Sequence, residues 1–302
     1  MIGVVIPAHN EEKHITDCLT SVVHAAKHPG LRRQLVTVLV VLDDCSDNTA
    51  TLVSAQSVEK LYVSFQNVCK ARATGVQELL TAGAQWLAFT DADTVVPYDW
   101  LARQIEFNAD AVCGTVEVDS WNEHGDLVRS KYLELYQFIE NHRHIHGGNL
   151  GLSAEAYRNA GGFQHLDAHE DVHLVADLEW IGARIVWTAT NPVVTSARRD
   201  YKCRGGFGEY LASLGASLGL PILNPRLSGG SRTLNWSERW GKYFGIHRFG
   251  AMARDDCDSD LGLVHWFATT TSADDRLLGL HREQCFVGCL GASLGRLCLD
   301  RP

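Results

Sequence analysis

Asp91 and Asp93 stand one residue apart at the end of an apolar run, Trp86 to Phe89, and a second acidic pair, Asp43-Asp44, ends another such run, Val36 to Leu42. Carboxylates this close repel one another, and a hard cation relieves the repulsion. Mg2+ and Mn2+ typically take one or two protein carboxylates and complete their shell with water and substrate phosphates. Asp91-Ala92-Asp93 is therefore read as a divalent-metal segment. Asp43-Asp44 has two readings, a ligand contact or an acidic strand end, and Asp47 reads as a helix N-cap. A third polar segment, Pro7 to Glu11, closes the run Ile2 to Ile6.

Further along, His169-Glu170-Asp171 opens a segment of helical period, where Asp171 is either a general base or an ordinary helix-start acid. A helix dipole at that end favours the ionised carboxylate but weakens it as a base. The dense basic cluster SARRDYKCRGG, residues 196–206, carries Arg198, Arg199, Lys202 and Arg204. Its two readings are a mobile loop that closes over a departing phosphate and a solvated surface. Lys70 and Arg72, in NVCKARATG, are divided the same way between phosphate and a helix face. His142, His144 and His146 alternate before Gly147-Gly148-Asn149; an acceptor-pocket or structural role is preferred over a metal, with His146 nearest the site.

Positioning these groups requires a repeated strand-loop-helix unit. Ile2 to Ile6 is a strand closed by Pro7, followed by a helix with Ile15, Leu19, Val22 and Val23 at helical spacing. Val36 to Leu42, Leu61 to Phe65 and Gln85 to Thr90 read as further strands, with a helix over Val68 to Thr81. Continuous apolar strands alternating with helices imply a doubly wound parallel sheet, and ligands then bind beyond the carboxyl ends of its strands. Ala111 to Val118 and Arg184 to Thr188 are two more strands, and Leu127 to His142 is expected as one long helix. Asn224 to Thr233 reads as a turn-rich link, and beyond it no sustained period is found.

The chain has 302 residues, 45% hydrophobic and 21% charged, enough for a real core and far from a disordered or fibrous composition. A net charge of -9, from 36 acidic and 27 basic residues, excludes a general nucleic-acid surface, so any phosphate site is local. Nine cysteines without a CxxC pair read as free cytosolic thiols rather than a zinc site. The start MIGVVIPAHNEE lacks a basic leader, and no run approaches the roughly 20 apolar residues of a membrane span. A cytoplasmic protein, at most peripherally associated with a membrane, is expected.

Taken together, VVIPAHNEE, VLDDCSDNT, FTDADTVVPYDWL, GGNLGLSAEAYRNAGGF and HEDVHL resemble, in order and spacing, five segments of glycosyltransferase family 2, over about residues 2 to 210. The resemblance implies an α/β GT-A fold, a doubly wound, mainly parallel sheet with a Rossmann-like nucleotide-binding half. On this basis residues 1–223 form the transferase domain and 224–302 an irregular C-terminal extension. It implies an inverting enzyme that moves a sugar from a nucleotide diphosphate-sugar to a hydroxyl of a saccharide, lipid or small molecule. Pro7, Ala8, Asn10 and Glu11 would then line the nucleotide pocket, and Asp44 would accept a hydrogen bond from the base. Asp91, with Ala92 beside it, would approach the ribose or sugar, and Asp93 would hold Mn2+ or Mg2+ at the diphosphate. Lys70, Arg72, Arg198, Arg199 and Arg204 fall on the donor side, and His146, Gly148 and Asn149 on the acceptor side. Asp171 would be the general base, with Glu170 shaping the site. One departure is Cys69, where the family often has glycine. Two alternatives remain. WLAFTDADT also resembles the DxDxT strand end of haloacid-dehalogenase phosphatases, in which Asp91 would be a nucleophile, and a nucleotide-sugar-binding module without catalysis would share the same pocket.

Overall fold

The computed structural model describes residues 1–164, 166, 168–203 and 205–221. The segment 224–302, with its link at Asn224 to Thr233, lies outside the described residues. Strands and helices alternate first as β1 (Ile2–Ala8), α1 (Ile15–Ala25), β2 (Val36–Asp43), α2 (Thr49–Ser54), β3 (Glu59–Val63), α3 (Val68–Thr81) and β4 (Trp86–Phe89). The remainder runs β5 (Thr94–Val95), α4 (Trp100–Glu106), β6 (Ala111–Val118), α5 (Asp126–Leu135), β7 (Leu150–Ser153), α6 (Ala154–Asn159), α7 (Glu170–Trp180), β8 (Ile185–Thr195) and α8 (Phe207–Ser217).

These strands form one eight-stranded sheet in the order β3-β2-β1-β4-β7-β6-β8-β5. β1 pairs in parallel with both β2 and β4, so successive crossovers leave it on opposite sides and open a crevice beyond its carboxyl end. β7 runs antiparallel to β4 and β6, while β6 and β8 are parallel. The antiparallel β7 brings residues 147–149 beside the end of β4, since Phe89 is in register with Leu150.

Every residue of β1 is buried because helices cover both sides of the sheet. Val4 and Ile6 pack with Ile15, Leu19 and Val22 of α1 and with Trp100 of α4, while Val5 packs with Ala71, Val76 and Leu79 of α3 and Leu174 of α7. Strand periodicity thus places one core on each face.

Three sequence expectations shift. The long helix expected to His142 stops at Leu135, because Tyr136 leaves helical geometry (φ -85, ψ 121) to stack its buried ring on His144, 3.9 Å between centroids. The third strand is Glu59–Val63 rather than 61–65, because Phe65 and Gln66 turn to donate their backbone N–H groups to the Asp43 carboxylate. α2 starts one residue later than expected, but Asp47 still serves its start, accepting from the Thr49 backbone N–H at 2.9 Å. Among the described residues no helix is long and apolar enough to cross a membrane.

Asn149 fastens the middle of the sheet. It accepts from the indole N–H of fully buried Trp100 at 3.0 Å and donates to the carbonyls of Thr115 and Asn191, both at 2.8 Å. Asn149→Ala leaves one donor and two acceptors without this partner, and we expect a loss of about 3 kcal/mol in urea unfolding. A stability within 0.5 kcal/mol of wild type, roughly the effect of an innocuous surface change, refutes the fastening role.

Candidate active site

The first wall of the crevice is built by the loops after β1 and β2. Asn10, in the left-handed region (φ 54), turns its side-chain oxygen onto the backbone N–H of Ser46 (2.7 Å) and of Asp47 (3.3 Å), latching the two loops together. Asp43 is buried and accepts three backbone N–H groups, from Phe65, Gln66 and Asn67, at 2.6–2.9 Å. Its neighbour Asp44 also takes a left-handed conformation (φ 50), which sends its carboxylate the other way, to the Gln66 amide. Asp44 lines a cavity of about 270 Å3 with Leu42, Cys45, Ala50, Tyr62 and Val63. Pro7 and Ala8 are buried strand residues, and the Ala8 carbonyl already accepts from the Cys45 thiol at 3.3 Å.

At the centre lies Arg72, 5% exposed, whose guanidinium pairs with Asp91 through Nη2 and with Glu170 through Nη1. Glu170 also accepts from the Cys69 thiol at 2.9 Å, so the cysteine that departs from the family pattern has a partner. Burial works to raise the Glu170 pKa, but Arg72 and the thiol outweigh it and hold the carboxyl below its ordinary value. Glycines make this approach possible. A Cβ on Gly147 would lie 2.7 Å from the Arg72 Cζ, and one on Gly148 would lie 2.7 Å from the Asp91 Oδ2. Ala92 is buried beneath. Lys70 is exposed, so of the two basic residues in NVCKARATG only Arg72 enters this cluster.

Asp171, buried, accepts from the Gly147 backbone N–H at 2.7 Å and from the Val172 N–H at 2.9 Å. The helix-start argument anticipates a lowered pKa. Instead, burial first and the adjacent Glu170 charge second push it up, to about 7. Desolvation at this depth exceeds what the helix end and two N–H groups return.

The basic segment divides. Arg198 grips Glu11 with both terminal nitrogens, at 2.5 and 2.7 Å, and reaches the Asp93 Oδ2 at 3.0 Å. Lys202 bonds Glu11 at 2.7 Å and the His9 carbonyl at 2.7 Å. Arg199 faces elsewhere. Its backbone N–H goes to Glu123, and its side chain lines a small cavity with His124, Val128 and Tyr201. Arg204 lies outside the described residues. Gly205 packs against His169, where a Cβ would meet Cε1 at 2.6 Å, so the segment runs from the β1 loop across to the start of α7. Asp93 is half-buried against these charges. Desolvation raises its pKa, Arg198 offsets part of that, and Glu11 and Asp91 add to it, giving about 7.

On the acceptor side the placement differs from expectation. Asn149 is spent in the sheet, as described. His146 is buried, bonded to the Tyr136 hydroxyl at 2.9 Å, and held neutral by burial and by His144 and His142. His142, His144 and His146 form part of an aromatic core with Tyr132 and Tyr136, and no group of three potential ligands among the described residues is arranged to hold a metal. The sequence marks Asp43 and Gly147 only as members of the segments Asp43-Asp44 and Gly147-Gly148-Asn149; their parts here, Asp43 as a loop organiser and Gly147 as the donor to Asp171, come from the fold. The pairing of Glu11 with the basic segment, 187 residues away, likewise left no sequence signal.

A mostly parallel sheet with an acidic pair after β4, beside the crevice where the crossover direction reverses, defines a GT-A glycosyltransferase fold. The chain belongs to the family described as glycosyl transferase family 2, whose model matches residues 3–166, and it is a glycosyltransferase. Glu170, Asp171 and Arg198 lie beyond that span. Membership in this family removes the phosphatase alternative. Among solved structures, TarS residues 1–349 of S. aureus in complex with UDP-GlcNAc superposes with a TM-score of 0.51 at 17% identity, over 80% of this chain and 70% of that one. The mannosyltransferase PcManGT of Pyrobaculum calidifontis, in complex with GDP-Man and Mn2+, gives 0.51 at 17% identity, over 80% and 67%. At such identities the likeness is one of fold. No curated protein matches the sequence significantly.

Arg72 and Glu170 are 6% and 4% exposed in their side chains, so removing the cation strands a buried carboxylate. We expect Arg72→Gln to cost about 3–5 kcal/mol at pH 7. Because folding lowers the Glu170 pKa, its contribution is full above the unfolded value of 4.5 and is lost as pH falls through the folded one. The gap between variant and wild type in urea melts therefore narrows in acid; a gap independent of pH excludes the ion pair as its source.

Proposed function

We propose that this protein transfers a sugar from a nucleoside diphosphate-sugar to an acceptor hydroxyl with inversion, using Asp171 as the general base and a divalent cation at Asp93. The observation that carries this reading is the Asp171 carboxylate: buried, fixed by Gly147, with its pKa raised to about 7, and joined through Arg72 and Glu170 to Asp91 at the donor end. A base with a pKa near the working pH combines ionisation with proton affinity. The acceptor oxygen attacks the anomeric carbon, the carbon–oxygen bond to the diphosphate breaks, and the acceptor proton passes to Asp171. Gly147 keeps its hydrogen bond and holds the carboxylate in place. The cavity at Asp44 suits a nucleobase, with the carboxylate accepting an N–H from its edge.

The donor set fits a hard divalent cation. Asp93 and Asp91 offer oxygens only, and a cation bound there would offset the desolvation that raises the Asp93 pKa. Two protein carboxylates suffice where phosphates complete the shell. When bound, the cation neutralises negative charge on the departing diphosphate. The folds of TarS and PcManGT, solved with UDP-GlcNAc and with GDP-Man and Mn2+, support the donor class and the metal. We assign catalysis to residues 1–223 and treat 224–302 as an extension. The five described cysteines, none of them in a disulfide, suit a reducing compartment such as the cytoplasm.

Asp171→Asn is expected to lower transfer by about 10²-fold or more while donor affinity stays within a few fold. In the wild type the rate rises with pH through about 7 as Asp171 ionises, and the variant loses that rise. Stability moves the other way. A folded pKa above the unfolded 3.8 means that burying the charge costs stability as pH climbs, so the variant gains in melting temperature relative to wild type as pH rises from 3.8 to about 7 and the gain levels off above that. Near-wild-type turnover makes Asp171 a helix-start acid only.

The metal assignment has its own check. Mn2+ and a nucleoside diphosphate together should raise the melting temperature more than the sum of each alone, and Asp93→Ala should abolish that excess. An undiminished excess in the variant moves the cation elsewhere.

A further inference from the structure

We propose that, in the nucleotide-free protein, Arg198 takes the place of a divalent cation on Asp93 and so admits the cation only together with a nucleoside diphosphate. This rests on the metal reading of Asp93 given above. Arg198 holds Glu11 with both terminal nitrogens and lies 3.0 Å from the Asp93 Oδ2, with side chains of Arg198 and Asp93 only 16% and 15% exposed. Nη1 and Nη2 both hold the buried Glu11 carboxylate while Nη2 also faces the half-buried Asp93 from a second loop, a bridge that the planar fork of arginine spans and a point charge does not. Asp91, the other carboxylate of the segment, is engaged by Arg72.

A cation arriving alone meets a guanidinium already on its ligand. It must displace Arg198 from Asp93 and then sit beside a like charge that has lost an anionic partner. A diphosphate changes the outcome, since its oxygens complete the cation's shell and also offer the freed guanidinium a bidentate anion. Glu11 keeps Arg198 anchored throughout, with Lys202 at 2.7 Å on the same carboxylate, so the guanidinium swings between two anions rather than leaving the site. By linkage the cation then tightens nucleotide binding by the same factor as nucleotide tightens the cation. Arg198 is on this account a residue that orders binding, and its signature is metal affinity in the absence of nucleotide.

Mn2+ binding to the full chain is to be measured from the electron-paramagnetic-resonance signal of free Mn2+, without nucleotide and with saturating UDP or GDP. Wild type should bind Mn2+ weakly alone and at least ten-fold tighter with one of the two nucleotides. Arg198→Gln should bind Mn2+ alone about ten-fold tighter than wild type, with a correspondingly smaller gain from nucleotide. Arg198→Lys, which keeps the charge but not the fork, should tighten Mn2+ alone by a few fold, and it carries the test if circular dichroism shows the glutamine variant unfolded. Arg199→Gln removes the same charge from a side chain that faces the His124 cavity and should leave Mn2+ affinity at the wild-type value. If nucleotide tightens Mn2+ in wild type but the Arg198 variants bind Mn2+ alone no better, the proposal fails and the metal reading stands. Equal gains in Arg198→Gln and Arg199→Gln also overturn it, as an effect of net charge. If neither nucleotide tightens Mn2+ in wild type, the metal reading itself fails.

Discussion

The site depends on one buried cation. Arg72 projects from α3 between Asp91, just beyond β4, and Glu170, at the start of α7, and so ties three elements together. A guanidinium removed from water is costly unless both sides are paired, so its two carboxylates must come together for the fold to tolerate it. That requirement sets the distance between the donor end of the crevice and the helix carrying Asp171. It also explains the two glycines at 147 and 148, because the chain entering β7 passes where a Cβ would strike the guanidinium or the Asp91 carboxylate. Charge pairing, backbone clearance and the placement of Asp171 are thus a single constraint.

The balance of charge follows from it. Five carboxylates, Glu11, Asp91, Asp93, Glu170 and Asp171, share three cations, Arg72, Arg198 and Lys202. The cations are not shared evenly. Burial acts to raise the pKa of both Glu11 and Glu170, yet their direct pairs win and both stay below their ordinary value. At Asp93 and Asp171 burial is the larger effect, and both rise to about 7. The two raised groups are those assigned to the cation and to the acceptor proton, the two places where positive charge arrives during a reaction. A site balanced for the free protein would have no reason to bind either.

The scaffold is legible in the sequence up to Asp93 because parallel strands buried on both faces read as unbroken Val, Ile and Leu runs, and their loops fall at one edge. Side-chain direction is less legible. Asp43 and Asp44 look equivalent on paper, yet a single left-handed residue sends one into the 65–67 turn and the other to the cavity. Arg198 and Arg199 diverge in the same way, one to Glu11 and the other toward His124. The histidines after Tyr136 leave an acceptor-pocket and a structural role open in the sequence; their partners are aromatic rings brought in from α5 and α8, and helix period alone does not reveal that Tyr136 must leave its helix to reach them. Asp171 shows the limit from the other side. A helix start is visible in sequence and depth of burial is not, so the sign of its pKa shift comes out wrong until the packing is known.

The arrangement separates two kinds of selectivity. The cavity at Asp44 is made by β2, β3 and α2, at one end of the sheet order, and its shape depends on Tyr62, Val63 and the Gln66 amide. Asp171 belongs to α7 and takes its hydrogen bond from the segment entering β7, beyond β4 in that order. Among the described residues the halves are joined by Arg72 with Asp91 and Glu170, by Cys69 with Glu170 and by Asn67 with the Leu166 carbonyl, while Arg198 and Lys202 reach Glu11 from beyond β8. On the proposed roles, substitutions around Tyr62 would alter what the cavity at Asp44 accepts without moving Asp171, and changes near α7 would leave Asp43 and its three N–H groups undisturbed. The bridging charges have no such freedom, because each of their partners lies on a different element, and a shift that improves one pairing lengthens another. Variation in donor and acceptor is open to this scaffold at its edges, while its centre is fixed by the electrostatics of Arg72.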